Sequence, residues 1–301
     1  MEIFDSHTHF FSYAFFKALV AQKDPRAEVA SVLGGLAQKT GIEIPDQDIK
    51  LHTKKWLAEM DQHQIKNMVT FASLPQEMET VAEAVQSAGG RLVGFTLVNP
   101  LLPEAKNFVK YAAGQGFRGI LLFPVMHGYH IYDERLEPIF RVVQEEQMAV
   151  LVHFGLLQVK LRDLLGLPRP YDLRYGNPLD LQSVANRFPK VNLIIPHFGC
   201  GFFRETLMLG SQCENVVVDT SSSNNWLETQ PERLTLADIF LRVLNVFGAQ
   251  RILFGTDSGT FPRGWRKDIF EEQQRAMREA GLSEEDQRFI LAGNIKRILK
   301  I

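Results

Sequence analysis

The chain has 301 residues, 45% of them hydrophobic and 23% charged, with 33 basic and 35 acidic side chains for a net charge of −2. That length and balance suit one soluble domain with a large core, spanning 1–301, and exclude a global field that would attract nucleic acid or an anionic membrane. Two cysteines, Cys200 and Cys213, make no disulfide framework and no CxxC site, so a reduced, cytoplasmic setting is expected.

In chain order, eight short apolar runs read as strands: Glu2–His9, Asn67–Leu74, Arg91–Asn99, Phe117–Phe123, Met148–Phe154, Val191–Phe198, Asn215–Ser221 and Arg251–Asp257. Several are nearly continuous in Val, Ile and Leu, as strands of a parallel sheet buried on both faces are. Helical patterns separate them: Lys54–Gln62, Glu77–Ser87, Glu104–Ala113, Glu134–Glu146, Leu179–Phe188, Phe203–Gln212, Leu234–Phe247 and Lys267–Ala280. Ser283 and Asp286 form a capping pattern for a last helix through Lys300. No run of 18 apolar residues predicts a membrane span. The apolar stretch Phe10–Val20 follows a strand and lacks a charged leader, so it does not read as a signal peptide.

Strand–helix alternation eight times over predicts a closed parallel (β/α)8 barrel or an open doubly wound sheet. No GxGxxG or Walker pattern follows any strand, so the nucleotide-binding sheet has no support. In a barrel, chemistry sits at the C-terminal ends of the strands. Ligand-type side chains do fall there: His7 and His9 end the first strand, His153 the fifth, His197 the sixth and Asp257 the eighth. On a strand, positions i and i+2 share a face, so His7 and His9 point together. Long insertions follow strands 1, 4 and 5, and in a barrel all three overhang the same rim. They contain His127 and Arg174, and a later rim loop contains Trp226; these three are expected substrate contacts. A solvated loop charge is the ordinary alternative for Arg174, and core packing for an aromatic such as Trp226.

The ordered pieces Asp5-Ser-His7-Thr-His9, Val152-His153, Ile195-Pro-His197-Phe-Gly199, Phe254-Gly-Thr-Asp257 and Ala292-Gly-Asn294-Ile-Lys-Arg297-Ile-Leu299 resemble the amidohydrolase superfamily. The likeness is to its amidohydrolase-2 branch, which holds aminocarboxymuconate-semialdehyde decarboxylase and related hydrolases, and it runs across nearly the whole chain. The resemblance implies a barrel with one divalent metal ion, zinc or alternatively manganese, held by His7, His9, His153 and Asp257. It implies His197 beside the metal, acting with Asp257 on the water, and makes a homo-oligomer the expected assembly.

One strand departs from the family pattern. Where members often read Gly-Phe-Lys-Gly-Ile-Lys-Leu-His-Pro, this chain has Gly116-Phe-Arg118-Gly-Ile-Leu121-Leu-Phe123-Pro124. Leu121, Leu122 and Phe123 cannot bridge two metals, which favours a mononuclear centre. A metal lowers the pKa of bound water toward ~7, so the expected activity is hydrolysis of a small carboxylated or cyclic compound. Non-oxidative decarboxylation of an aromatic or unsaturated acid is the alternative on the same ligands.

Overall fold

The computed structural model describes residues 1–222 and 225–301. All eight expected strands are present: β1 Phe4–His9, β2 Asn67–Ala72, β3 Leu92–Val98, β4 Gly119–Leu122, β5 Ala149–Val152, β6 Leu193–Ile195, β7 Val216–Asp219 and β8 Ile252–Leu253. Each pairs in parallel with the next, giving the order β1 to β8. The ring closes just beyond β8. Ser6 N donates to Phe254 O at 2.8 Å, His9 N to Ser258 O at 2.7 Å and Asp257 N to His7 O at 3.0 Å. Thr8 and Ser258 form a parallel bridge. The structure is thus a (β/α)8 barrel, and its closing seam joins the segment of His7 and His9 to that of Asp257.

The near-continuous apolar strands divide their side chains between two layers. Phe4, Val69, Phe71, Phe95, Leu121, Leu151, Ile194, Val217 and Leu253 fill the barrel interior, and the last helix, Asn294–Leu299, packs onto that cluster through Ile295, Ile298 and Leu299. The alternate residues, such as Ile120, Leu122, Val150, Val152, Ile195 and Val218, face the surrounding helices. Interior space is fully used: a Cβ on Gly119 would stand 2.4 Å from the Phe95 ring, so the smallest residue makes room for a phenyl group inside the ring.

The helices follow the sequence pattern with two instructive differences. The segment expected from Lys54 begins five residues earlier, as Ile49–Gln62, because the Asp48 side chain caps it by accepting Lys50 N at 2.9 Å. The C-terminal segment starts with the expected Ser283–Asp286 capping box, but its helix is broken by a wider π-helical turn over Phe289–Gly293 before Asn294–Leu299.

Insertions follow strands 1, 4 and 5 as expected. The one after β1 contains helices Tyr13–Lys23 and Val29–Thr40. Its Phe15, Phe16, Leu19, Val20, Leu33 and Leu36 share a small core with Leu161, Leu165 and Leu167 of the β5 loop. Two loops that leave different strands therefore meet above one rim. No helix is long and apolar enough to cross a membrane among the described residues.

Candidate metal centre

At the C-terminal rim, one ligand atom each from His7, His9 and Asp257 lies within 4.8 Å of the others, a group that can hold a metal ion. The Asp257 Oδ1 stands 3.2 Å from His9 Nε2 and 3.7 Å from His7 Nε2. Donors bound at ~2.1 Å in tetrahedral directions would be ~3.4 Å apart, so the spacing suits a shared cation.

The opposite ring nitrogens are tied outward. His7 Nδ1 faces Asp219 Oδ2 at 2.8 Å. A carboxylate at that position only accepts, so Nδ1 carries the hydrogen and Nε2 turns a lone pair toward the centre. His9 Nδ1 meets Ser73 Oγ at 2.7 Å. His197 Nδ1 donates to the carbonyl of Ser221 at 3.1 Å and to Ser221 Oγ at 2.8 Å. Fixing Nδ1 by an outer hydrogen bond is the arrangement that orients metal-ligating histidines.

His153 completes the set of rim histidines. It is buried, its ring stacks on Phe123 with centroids 5.0 Å apart, and it meets the edge of His197, also at 5.0 Å. His197 in turn lies 4.7 Å from His7. The His153 Nδ1 is shut from solvent with no hydrogen-bond partner among the described residues. Such an atom costs about 1–3 kcal/mol when left unsatisfied, and an imidazole lone pair is what a transition metal takes. His7, His9 and Asp257 fit a divalent cation, whereas among the described residues the ligand atoms that lie within 4.8 Å of one another do not include a nitrogen of His153.

The electrostatics point the same way. Burial alone would lower His7, but the nearby Asp219, Asp257 and Asp5 carboxylates raise it; surroundings that favour a proton favour any cation. Burial, with the neighbouring His197 and His7, holds His153 well below the usual histidine range. Burial and His7 push His197 down to about 4. Both are therefore neutral at pH 7 and have lone pairs to offer. Burial opposes ionisation of Asp257, but the His9 hydrogen bond and the neighbouring His7 hold it well below the carboxylate range.

The backbone at the centre is strained. His197, Phe198 and Cys200 have φ of 56°, 53° and 46°, and Asp257 has 59°. Left-handed conformations cost a non-glycine residue about 1–2 kcal/mol. The turn after β6 is held by the β5 loop, where Leu156 N donates to Cys200 O at 2.9 Å. Gly155, at φ 71°, passes so close that a Cβ there would stand 2.1 Å from Cys200 O.

Asp219 and Ser221 are the residues that sequence reasoning missed. Asp219 is fully buried and accepts from His7 Nδ1, from Ser221 N at 2.8 Å, from His197 N at 3.3 Å and from Ser221 Oγ. Burial would raise it, but His7, His197 and Ser221 hold it below the usual range. It ends the apolar run Val216–Val218, so the strand-end signal that marked the other sites was present here too. Asp5 is a buried hub of the seam, accepting from His7 N at 3.0 Å, Trp265 Nε1 at 2.7 Å and Thr256 Oγ1 at 2.5 Å.

The three expected substrate contacts differ in their surroundings. Arg174 is 84% exposed and forms a bidentate pair with Asp172. His127 is half-buried with its ring 6.5 Å from that of Tyr129, and burial pushes it down to about 4. Trp226 is buried against Phe203 and Phe198, with ring centroids 5.7 and 6.3 Å away.

Comparison with known proteins now adds family and fold. Among curated proteins, no sequence matches the chain. Solved structures do. A 5-carboxyvanillate decarboxylase from Novosphingobium aromaticivorans, complexed with manganese and 4-hydroxy-3-methoxy-5-nitrobenzoic acid, is 16% identical with a TM-score of 0.66, over 100% of this chain and 96% of that one. A probable 2-pyrone-4,6-dicarboxylic acid hydrolase from Acinetobacter baumannii, with citric acid bound, is 16% identical with a TM-score of 0.62 over 100% of both chains. An amidohydrolase from Burkholderia multivorans with bound zinc is 15% identical with a TM-score of 0.63, again over 100% of both. At these identities the likeness shows a shared barrel. A family model described as amidohydrolase matches residues 4–301. That match runs from the first strand through the last helix and takes in every residue of the centre, so the chain belongs to the amidohydrolase family.

Proposed function

We propose that the chain is a mononuclear metal-dependent hydrolase of a small carboxylated or cyclic compound, with His7, His9, His153 and Asp257 as the ligands. The observation that carries this reading is the convergence of His7 Nε2 and His9 Nε2 on Asp257 Oδ1 while each Nδ1 is tied outward. Zinc suits this nitrogen-rich set, and manganese is the alternative; similar structures carry one or the other.

A divalent cation bound here supplies Lewis acidity and lowers the pKa of bound water toward ~7. The chain's own groups do the rest. Asp257 stays ionised, and its carboxylate accepts a proton from the attacking water. His197 donates through Nδ1 to Ser221 O, which leaves Nε2 with a lone pair as general base. Arg263, in the loop after Asp257, has no ion-pair partner among the described residues. Burial lowers its pKa and the Asp257 carboxylate opposes this, which supports a role for this guanidinium in holding a substrate carboxylate.

Decarboxylation is the second reading, supported by the likeness to the carboxyvanillate decarboxylase. It needs a group that protonates carbon as CO₂ leaves. Burial pushes His197 down to about 4, so it is a weak base in the first reading and a scarce acid in the second, and the two readings are told apart by their products.

The test combines metal analysis with a substrate panel. One metal per chain is expected, with loss of turnover in His7→Ala and Asp257→Asn. Asparagine tolerates the left-handed backbone at 257, so that variant keeps the fold. Ring-opened or cleaved product from lactones and amides of carboxylic acids supports hydrolysis. Release of CO₂ from carboxylated aromatics without hydrolysis supports the second reading, and full turnover by metal-free protein overturns both.

A further inference from the structure

Glu77 is a carboxyl group with no role in the chemistry above, yet it is fully buried. It follows Pro75 in the short turn after β2, and no lysine or arginine pairs with it among the described residues. Its two oxygens receive one main-chain N–H each. Oε1 accepts from Ser12 N at 2.6 Å, and Oε2 accepts from Ser73 N at 2.8 Å. Ser12 stands three residues beyond His9, where helix Tyr13–Lys23 begins. Ser73 stands at the end of β2, and its Oγ meets His9 Nδ1 at 2.7 Å.

We propose that Glu77 is a positioning residue for His9, acting through Ser73; this rests on the reading of His9 as a metal ligand. Around the rest of the His9 ring, Phe11 stacks on it at 4.7 Å, Phe71 meets its edge at 5.3 Å, His7 lies 5.7 Å away, and Nε2 faces Asp257 Oδ1 at 3.2 Å. The Phe11 and Phe71 rings confine the plane of the imidazole, Ser73 Oγ holds Nδ1 outward so that Nε2 is left toward the centre, and Glu77 fixes the backbone of Ser73. The same carboxyl group also accepts from Ser12 N, which ties the start of helix Tyr13–Lys23 to the end of β2. Burying an ionisable group costs free energy that a packed apolar side chain would not. A site that needed only a staple between two loops had cheaper solutions.

The inference is tested by a double-mutant cycle read as zinc affinity, measured by competition with a chelator on the full-length protein. Ser73→Ala removes only the hydroxyl, and Glu77→Gln keeps the volume but turns an N–H₂ toward one of the two donors. Each is expected to weaken zinc binding about 10-fold or more, the scale of losing an outer-shell partner. Because Glu77 acts through Ser73, the double variant is expected to bind zinc no more weakly than Ser73→Ala alone. Additive losses, or a Glu77→Gln protein with wild-type affinity, overturn the proposal and leave Glu77 a loop staple. If Glu77→Gln does not fold, Glu77→Asp takes its place in the cycle, reaching one N–H but not both, with the same two outcomes. His9→Ala separates the premise from the inference. If it binds zinc like the wild type, the metal reading fails and this inference with it. If it loses zinc while the cycle is additive, the inference alone fails.

Discussion

His7 Nδ1 and Asp219 Oδ2 lie 2.8 Å apart, both side chains shut away from water. Asp219 also accepts from the backbone of Ser221 and His197, so it fixes two rim histidines at once. An amide cannot serve all of these donors, because one of its two arms donates. Asp219→Asn is expected to lower metal affinity roughly 10- to 100-fold, with the circular dichroism spectrum unchanged. Chelator competition measures this. Wild-type affinity would show that something other than Asp219 orients His7.

Two arginines of the rim differ in what holds them. Arg174 is already chelated by Asp172 at the surface, whereas the charge of Arg263 interacts with Asp257. A charge-assisted hydrogen bond to a substrate carboxylate contributes about 1.5–3 kcal/mol. Arg263→Ala is therefore expected to raise KM for a carboxylated substrate roughly 10-fold or more, and Arg174→Ala to leave it within about 2-fold. Steady-state kinetics on the same substrate decide between them, and the reverse order would make Arg174 the carboxylate's partner.

The barrel was legible because buried parallel strands carry a signal that survives without context: short Val, Ile and Leu runs separated by helical periodicity. The centre was legible where a ligand-type side chain directly followed such a run, as His153 follows Val152. Asp219 follows Val218 in the same way, and it escaped notice because an aspartate before Thr-Ser also reads as a turn. Ser73 and Glu77 had no signal at all. A serine and a glutamate flanking Leu74-Pro75 are ordinary helix-start chemistry, and only the fold brings them against His9. Trp226 shows the converse: its loop position suggested the rim, whereas its ring went to the nearest apolar surface.

That burial of Trp226 has a measurable consequence. Its indole is 4% exposed and packs on Phe198 and Phe203. Trp226→Ala is expected to cost about 3–5 kcal/mol of stability, seen as a lower urea midpoint, with KM nearly unchanged for protein that remains folded. A large KM effect at wild-type stability would instead place the indole against substrate.

Glu77 makes stability depend on pH. Burial outweighs its two N–H donors and pushes its carboxyl up from the usual 4.5 to about 7. Between those values the folded state binds more protons than the unfolded state, so the slope of stability against pH is negative. The contribution is fully present below pH 4.5 and is lost as pH rises through 7. It amounts to on the order of 3 kcal/mol over the window. Asp5, which burial pushes up to about 6, adds a loss of the same sign over its own range. Glu77→Gln retains Asp5 and cannot titrate, so the difference between wild type and variant isolates Glu77. Urea unfolding of metal-free protein at pH 5 and pH 7.5 is expected to show the wild type losing more stability than Glu77→Gln. Metal-free protein is needed because cation binding has a pH dependence of its own. Parallel losses in the two proteins would mean that the two N–H donors keep Glu77 ionised at both pH values, despite its burial.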